Sequence, residues 1–484
     1  MSGAVASGHP RATRIGEEVL ARGGTAVDAA LAVSAALTVV QPHMNGLGSD
    51  FFAVVHEGRA RSINGSGWAA AEATIARYRS AGLTRVPESG PLASCTVPGL
   101  VASWSLLAAE ASRPLAELLA PAVRLARDGF PVTRAIAASA AETYGRADAD
   151  WRAIYAGLRP GATLVQPGLA RTLAAIGADG GASFYHGELA RAIDRDMRAK
   201  GGLLRYGDLD GYRAEWTQPL AFRYRGLDVA TTPPNSQGAT ALVWLNLLAR
   251  ERLDERTEAE YVDRLVRTLP IAYAARARFI GDPARVRFPE ALLRPDHRFE
   301  PAPPERRTPR PGPGDTTAFS VTDGAIGVSA IQSNYHGFGS GQSVGTTGIN
   351  LNDRGAYFTL DPDHHNALAP GRRPFHTLMA VVATGPGRRV LLGSMGGDVQ
   401  PQANVQVLTQ LLDRGRPIAD AVARPRFACP ATIYGPAPLY AEPGVPLPAA
   451  QPVADAALVG HAHAIDERDG TARVGIDPRG DGRG

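Results

Sequence analysis

Residues 294 to 315 read RPDHRFEPAPPERRTPRPGPGD, a stretch crowded with proline and charge and without any apolar period. Proline has a fixed φ and no N–H to donate, so neither a helix interior nor a central strand can run through it. The segment is predicted to be an extended, exposed linker or loop. Directly behind it the pattern changes to TTAFSVTDG and AIGVSAIQSN, two strand-like runs about Gly324-Ala325. The chain therefore divides into a large part, residues 1 to 315, and a smaller part, residues 316 to 484.

With 484 residues the chain can bury a large core, and two lobes are expected. A helix over residues 10 to 22 should stop at Gly23-Gly24. Thr25 can cap the next, residues 26 to 40, whose almost wholly apolar, Ala-rich sequence predicts burial on all sides. Residues 51 to 56 and 60 to 63 form a hairpin pattern about Glu57-Gly58. Helical periods dominate residues 100 to 200 and recur over 258 to 280, with a short strand region at 222 to 234. VQVLTQLLDRG reads as an amphipathic helix.

Composition removes several classes of function. The formal charge is +4, and Lys200 is the only lysine, so the positive charge is arginine spread without clusters. That describes a solvated surface, and no nucleic-acid partner is expected. The longest apolar run, residues 29 to 40, is too short to span a bilayer, so no membrane partner is expected either. No basic-then-apolar leader opens the sequence, which predicts a cytoplasmic protein. Cys95 and Cys429 fit no metal or disulfide spacing and read as buried, silent thiols.

The chemistry concentrates at the junction. A threonine hydroxyl is a weak nucleophile, but a chain cut before Thr316 would place an α-amine of pKa about 7.7–8.0 beside it as base. Taken alone, Thr316 is more simply a residue that opens a strand. If the hairpin pairs Val321 with Val328, Thr316 falls opposite Ser333, and a second hydroxyl comes within reach. Further on, GSMGGD follows the strand-like RRVLL, and the N–H groups of Gly396 and Gly397 could face a developing oxyanion. An ordinary strand-to-helix turn is the competing reading, and no Gly-Lys-Ser/Thr follows to make it a phosphate loop. His336, His364, His365 and His376 have no helical ligand spacing, so neither a metal nor another cofactor is expected.

Together these segments resemble the gamma-glutamyltransferase family. The N-terminal run from ASGHPRATRIGEE to PHMNGLGSDFF is followed in order by TVPGLVASW, LARDGFPV, FYHGELARAI, GDTTAFSVTDG, GFGSG, TTGINLND, RRPFHTL, GSMGGD and ARPRF. The resemblance implies an α/β (α+β) fold, a four-layer αββα sandwich of the N-terminal-nucleophile type. It also implies cleavage between Asp315 and Thr316, and a heterodimer of the two processed chains that could pair again. Thr316 would attack an amide carbonyl, Ser333 would support it, Gly396 and Gly397 would hold the oxyanion, and water or an amine would accept the acyl group.

The family's glutamyl-binding positions are changed. Its carboxylate-binding Arg falls on Ser66, its amine-binding Asp on Tyr357, and its paired serines on His376 and Thr377. Asn334 and Asp353 also depart from the motifs around them. IQSNYHGFGSG, with Tyr335, and DRGAYFTLDPDHHNALAPG are similar to a branch of the family that hydrolyses oxamate. A small carboxylate-bearing amide is therefore the expected substrate. Arg354, His376 and Thr377 are its candidate carboxylate partners, and Tyr335, Tyr357 and Ser66 complete the candidate substrate set. For Arg354 a structural ion pair is an equal reading. A gamma-glutamyl peptide substrate, or a non-catalytic relative, are the alternatives.

Overall fold

The computed structural model describes residues 3–299, 315–430 and 438–480. Segment 300 to 314, most of the predicted linker, lies outside the described residues. Two principal sheets contain β1 Ala4–Ser7, β2 Asp50–Glu57, β3 Arg59–Gly65, β4 Glu215–Thr217, β5 Leu220–Tyr224, β6 Leu227–Thr231, β7 Asp315–Thr322, β8 Gly327–Tyr335, β9 Ala380–Gly385, β10 Arg388–Ser394, β11 Ala462–Arg468 and β12 Thr471–Ile476. The first sheet has the order β1-β7-β8-β2-β3-β4 and the second β12-β11-β10-β9-β6-β5. Strands from before and after residue 315 thus share both sheets, and in the first they interleave.

The sheets stack face to face, and the alternation of side chains shows it. On β2, Phe52 and Val54 join Ala318, Ile331, Leu378, Ala380, Val382, Leu391 and Ile465 in an apolar layer between the sheets. The intervening Phe51, Ala53 and Val55 pack with Phe319, Val321 and the outer helices. Val381, Ala383, Val390 and Leu392 do the same on the far side of the second sheet. Strands buried on both faces carry apolar runs rather than alternation. The layers are helix, sheet, sheet, helix.

The helix Ala26–Val40 is buried along its whole length against the first sheet, as its composition demands. Thr25 caps it reciprocally with Asp28: the Asp28 N–H donates to Thr25 Oγ1 at 3.2 Å and the Thr25 N–H to Asp28 Oδ2 at 2.8 Å. The helix Gln400–Leu412 differs from the expectation of an amphipathic one, because it is buried on every side through Leu411. Its glutamines act as a substitute strand edge. Gln402 exchanges two hydrogen bonds with the backbone of Cys429, and Gln406 two with Phe427. Sequence polarity there records internal hydrogen bonding rather than exposure. Cys95 and Cys429 are buried free thiols, each pushed up to about 11 by burial. Among the described residues no helix is long and apolar enough to cross a membrane.

Trp104, in the helix Leu100–Ala108, is fully buried, and its Nε1 donates to Ser34 Oγ at 2.7 Å. Ser34 in turn donates to Gln332 on β8 at 2.5 Å. Trp104→Ala should therefore cost about 3–5 kcal/mol through the cavity and the stranded hydroxyl. A urea midpoint equal to that of the unmodified protein would refute this packing role.

Candidate active site

Ala318 on β7 faces the layer between the sheets, so Thr316, two residues earlier, points the same way at the mouth of the sandwich. Thr316 is only 2% exposed and lines a cavity of about 80 Å3 with Met395, His461 and His463. The β7–β8 ladder follows the predicted register from Val321–Val328 to Thr317–Gln332, then shifts so that Tyr335 pairs with Asp315. Thr316 therefore does not sit squarely opposite Ser333. The shift comes with Tyr335 at φ 85°, a left-handed conformation that a tyrosine rarely adopts. As a result Ser333 Oγ donates to the carbonyl oxygen of Asp315 at 2.6 Å, on the peptide bond that joins Asp315 to Thr316.

Behind Ser333 lies a buried polar cluster centred on Asp50, a residue the sequence reading missed. Asp50 shares a face of β2 with Phe52 and Val54, and a carboxylate at a core position of a strand is the signal that marks it. Its Oδ1 accepts from the Gly67 N–H at 3.0 Å. Its Oδ2 accepts from His376 Nε2 at 2.9 Å and lies 3.7 Å from Arg354 Nε. The Arg354 Nη1 donates to Thr377 Oγ1 at 2.9 Å and Nη2 to Ser333 Oγ at 3.3 Å. Its guanidinium is stacked 4.6 Å from the Tyr335 ring and 5.6 Å from the Tyr357 ring. Burial, reinforced by Arg354, lowers the His376 imidazole to about 4 despite Asp50. The neutral ring donates through Nε2 and accepts the Leu378 N–H at Nδ1, 3.1 Å away, so both nitrogens are occupied. Ser66 lies beside this cluster, its single proton directed to Asn64 Oδ1 at 2.7 Å with Asn235 Oδ1 at 3.2 Å.

The glycine turn follows β10. Gly396 and Gly397 adopt φ 124° and 55°, and a Cβ on Gly396 would meet Val399 Cγ2 at 2.7 Å. The Gly396 carbonyl accepts from the Val399 N–H at 3.1 Å, so in a trans peptide the Gly397 N–H points the opposite way. Gln237, also missed from sequence, donates to the Gly397 carbonyl at 2.9 Å and the Thr377 carbonyl at 2.6 Å. Its own Oε1 accepts from Arg276, which pairs with Asp398 at 2.9 Å. Tyr357 donates to the same Asp398 carboxylate at 3.3 Å. Of the four histidines considered for a metal, only His336 and His376 lie here, each against a different carboxylate. Among the described residues no group of three His, Cys, Asp or Glu could hold a metal ion.

Asp315 itself faces a wider cavity of about 720 Å3, lined among others by His43, Glu142, Arg146, His336 and Asp455. Burial pushes its carboxyl up to about 7, with Glu142 and Asp455 adding to the rise and His336 opposing it. His336 keeps its proton more firmly than usual, because Asp353 at 2.6 Å outweighs the burial that opposes it.

Two stacked antiparallel sheets between helices, with a threonine at the inner mouth of a central strand, define the architecture of an N-terminal-nucleophile hydrolase. The chain belongs to the gamma-glutamyltranspeptidase family, whose model matches residues 12–484, and is an enzyme of that hydrolase and transferase group. It is 37% identical over 443 residues to the oxamate amidohydrolase proenzyme of Klebsiella pneumoniae subsp. pneumoniae, covering 87% of this chain and 83% of that protein. It is 38% identical over 448 residues to the glutathione hydrolase-like YwrD proenzyme of Bacillus subtilis, covering 87% and 84%. The crystal structure of cephalosporin acylase from Bacillus halodurans matches with a TM-score of 0.91 at 34% identity, covering 99% of this chain and 95% of that one.

The raised Asp315 carboxyl makes a prediction about the uncut chain. At pH 4 the side chain is largely protonated in the folded state. Between about pH 4 and 7 it ionises only on unfolding, so rising pH removes stability until the folded group ionises too. With Thr316→Ala in both proteins, Asp315→Asn should therefore stabilise the chain increasingly from pH 4 to 7 and by a constant amount above. Urea midpoints across that range test this; a pH-independent difference would contradict it.

Proposed function

We propose that this enzyme cuts its own Asp315–Thr316 bond and then uses Thr316 as an N-terminal nucleophile on a small amide whose acyl group bears a carboxylate, oxamate being the leading substrate. The observation that carries the reading is Ser333 Oγ seated on the Asp315 carbonyl at the mouth of the sandwich, in a chain of this family. Residues 1 to 315 and 316 to 484 would be the two chains of the mature heterodimer. The freed α-amine would serve as base, Ser333 would orient the Thr316 hydroxyl, and the Gly396 and Gly397 N–H groups would hold the oxyanion.

The substrate reading rests on charge. Arg354 and Thr377 offer a planar cation and a hydroxyl to a carboxylate, with Tyr335 and Tyr357 as walls and Ser66 beside them. His376 would hold Asp50 in place. A gamma-glutamyl group brings an ammonium as well, and the nearby carboxylates are engaged: the buried Asp50 by Gly67, His376 and Arg354, and the half-buried Asp398 by Arg276 and Tyr357. The likeness to the oxamate amidohydrolase proenzyme agrees with this. A gamma-glutamyl reading is kept in view by the glutathione hydrolase proenzyme of Escherichia coli, 32% identical over 473 residues.

Intact mass under denaturing conditions should give two fragments that meet between residues 315 and 316, and Thr316→Ala should give one uncut chain. The processed protein should release ammonia from oxamate and turn over gamma-glutamyl amides slower by roughly 10- to 100-fold, the cost of leaving one ammonium poorly paired. An uncut chain in both preparations would favour a non-catalytic relative. Faster turnover of gamma-glutamyl amides would reverse the substrate assignment.

A further inference from the structure

The Ser333 hydroxyl has one proton and two lone pairs to distribute. Its oxygen accepts from the Tyr335 N–H at 2.8 Å and lies 3.3 Å from Arg354 Nη2. With both lone pairs occupied by donors, the proton is left to the Asp315 carbonyl, 2.6 Å away. On its other edges the guanidinium donates from Nη1 to Thr377, faces the Asp50 carboxylate 3.7 Å from Nε, and is stacked by the rings of Tyr335 and Tyr357. Arg354 is 1% exposed and Asp50 is fully buried, so the cation acts on Ser333 with little screening by water.

We infer that Arg354 is a positioning residue for self-cleavage: held by Asp50 and Thr377, it locks the Ser333 hydroxyl as a donor to the Asp315 carbonyl before any substrate is bound. This rests on the reading of Thr316 as nucleophile. In that step Thr316 Oγ1 bonds to the Asp315 carbonyl carbon, and the carbonyl oxygen becomes an oxyanion held by the Ser333 O–H. The bond from that carbon to the Thr316 nitrogen then breaks, and the nitrogen takes up the proton that the threonine hydroxyl gave up. The product is an ester with a free α-amine. Water hydrolyses the ester to the Asp315 carboxylic acid and the restored Thr316 hydroxyl. In the uncut chain the Asp315 carbonyl accepts from Ser333, so maturation would draw on the Ser333–Arg354 pair, whereas turnover would draw on the Gly396 and Gly397 N–H groups. Once Asp315 departs, the Ser333 hydroxyl loses its acceptor and is released to orient the Thr316 hydroxyl.

The test follows appearance of the two fragments after cell-free synthesis of the full chain, by gel and intact mass, with circular dichroism as the check on folding. Arg354→Ala should slow cleavage roughly 10- to 100-fold, less than outright loss of an oxyanion donor. Added guanidinium at non-denaturing concentration should restore much of the rate. It should do nothing for Ser333→Ala, where the donor itself is gone. Should Arg354→Ala fail to fold, Arg354→Lys carries the test. It keeps the charge but not the planar fork, and should be slowed about 10-fold. An unmodified rate in either folded variant overturns the proposal, as does slow cleavage that neither guanidinium nor lysine relieves. An unmodified chain that never breaks at residues 315–316, or a Thr316→Ala chain that does, would instead remove the nucleophile reading beneath it.

Discussion

Strand β7 is paired with β1 on one side and β8 on the other, so its register cannot slip without breaking two ladders. The ladders place Asp315 and Thr316 at the open end of the sandwich, with Ala318 as the first fully apolar step inward. The second sheet closes tightly there: a Cβ on Gly393 would stand 2.9 Å from that of Ala318. Because β1 comes from the beginning of the chain and β8 from beyond residue 316, this strand also ties the two parts together. A break before Thr316 would leave the ladders from Thr317 to Thr322 and the strand's buried faces intact.

The polar cluster at the same end is costly by ordinary stability reasoning. A buried ion pair seldom outperforms well-packed apolar residues of the same shape, because desolvation consumes the Coulombic gain. Here Asp50 and Arg354 are withdrawn from water, together with His376, Ser333, Thr377 and Asn235. Nearly every polar atom among them has a partner inside the protein, which limits the penalty and fixes each side chain in one orientation. Orientation is the return. Asp50 aligns the guanidinium edge that reaches Ser333, and Gln237 braces the glycine turn and the backbone of Thr377 with one amide.

Much of the framework was legible in the chain. The helix over residues 26 to 40 had to be buried because it has no polar face, and Thr25 with Asp28 marks its start. The hairpin register was readable from Val321 and Val328, since side chains repeat every two residues along a strand. It ceased to be readable at Tyr335, whose left-handed backbone introduces a bulge that no residue type announces. The helix Gln400–Leu412 misled for a related reason: glutamine reads as exposed, yet Gln402 and Gln406 spend their amides on buried backbone. Asp50 was missed, because the strand read from sequence began one residue later, and only the ladder to Ser333 puts its carboxylate on a core face.

By itself the sequence determined the layered class of fold and the family, and it singled out Thr316 as the candidate nucleophile, because these depend on local pattern and on motifs in fixed order. Tertiary structure alone decided which groups meet around that threonine. Arg354, Ser333 and Asp50 lie hundreds of residues apart at the extremes, on different strands and loops, and Ser333 meets the Asp315 carbonyl where the β7–β8 ladder shifts by one residue. Hydrogen bonds act over about 3 Å. Only the packed sheets set distances that finely.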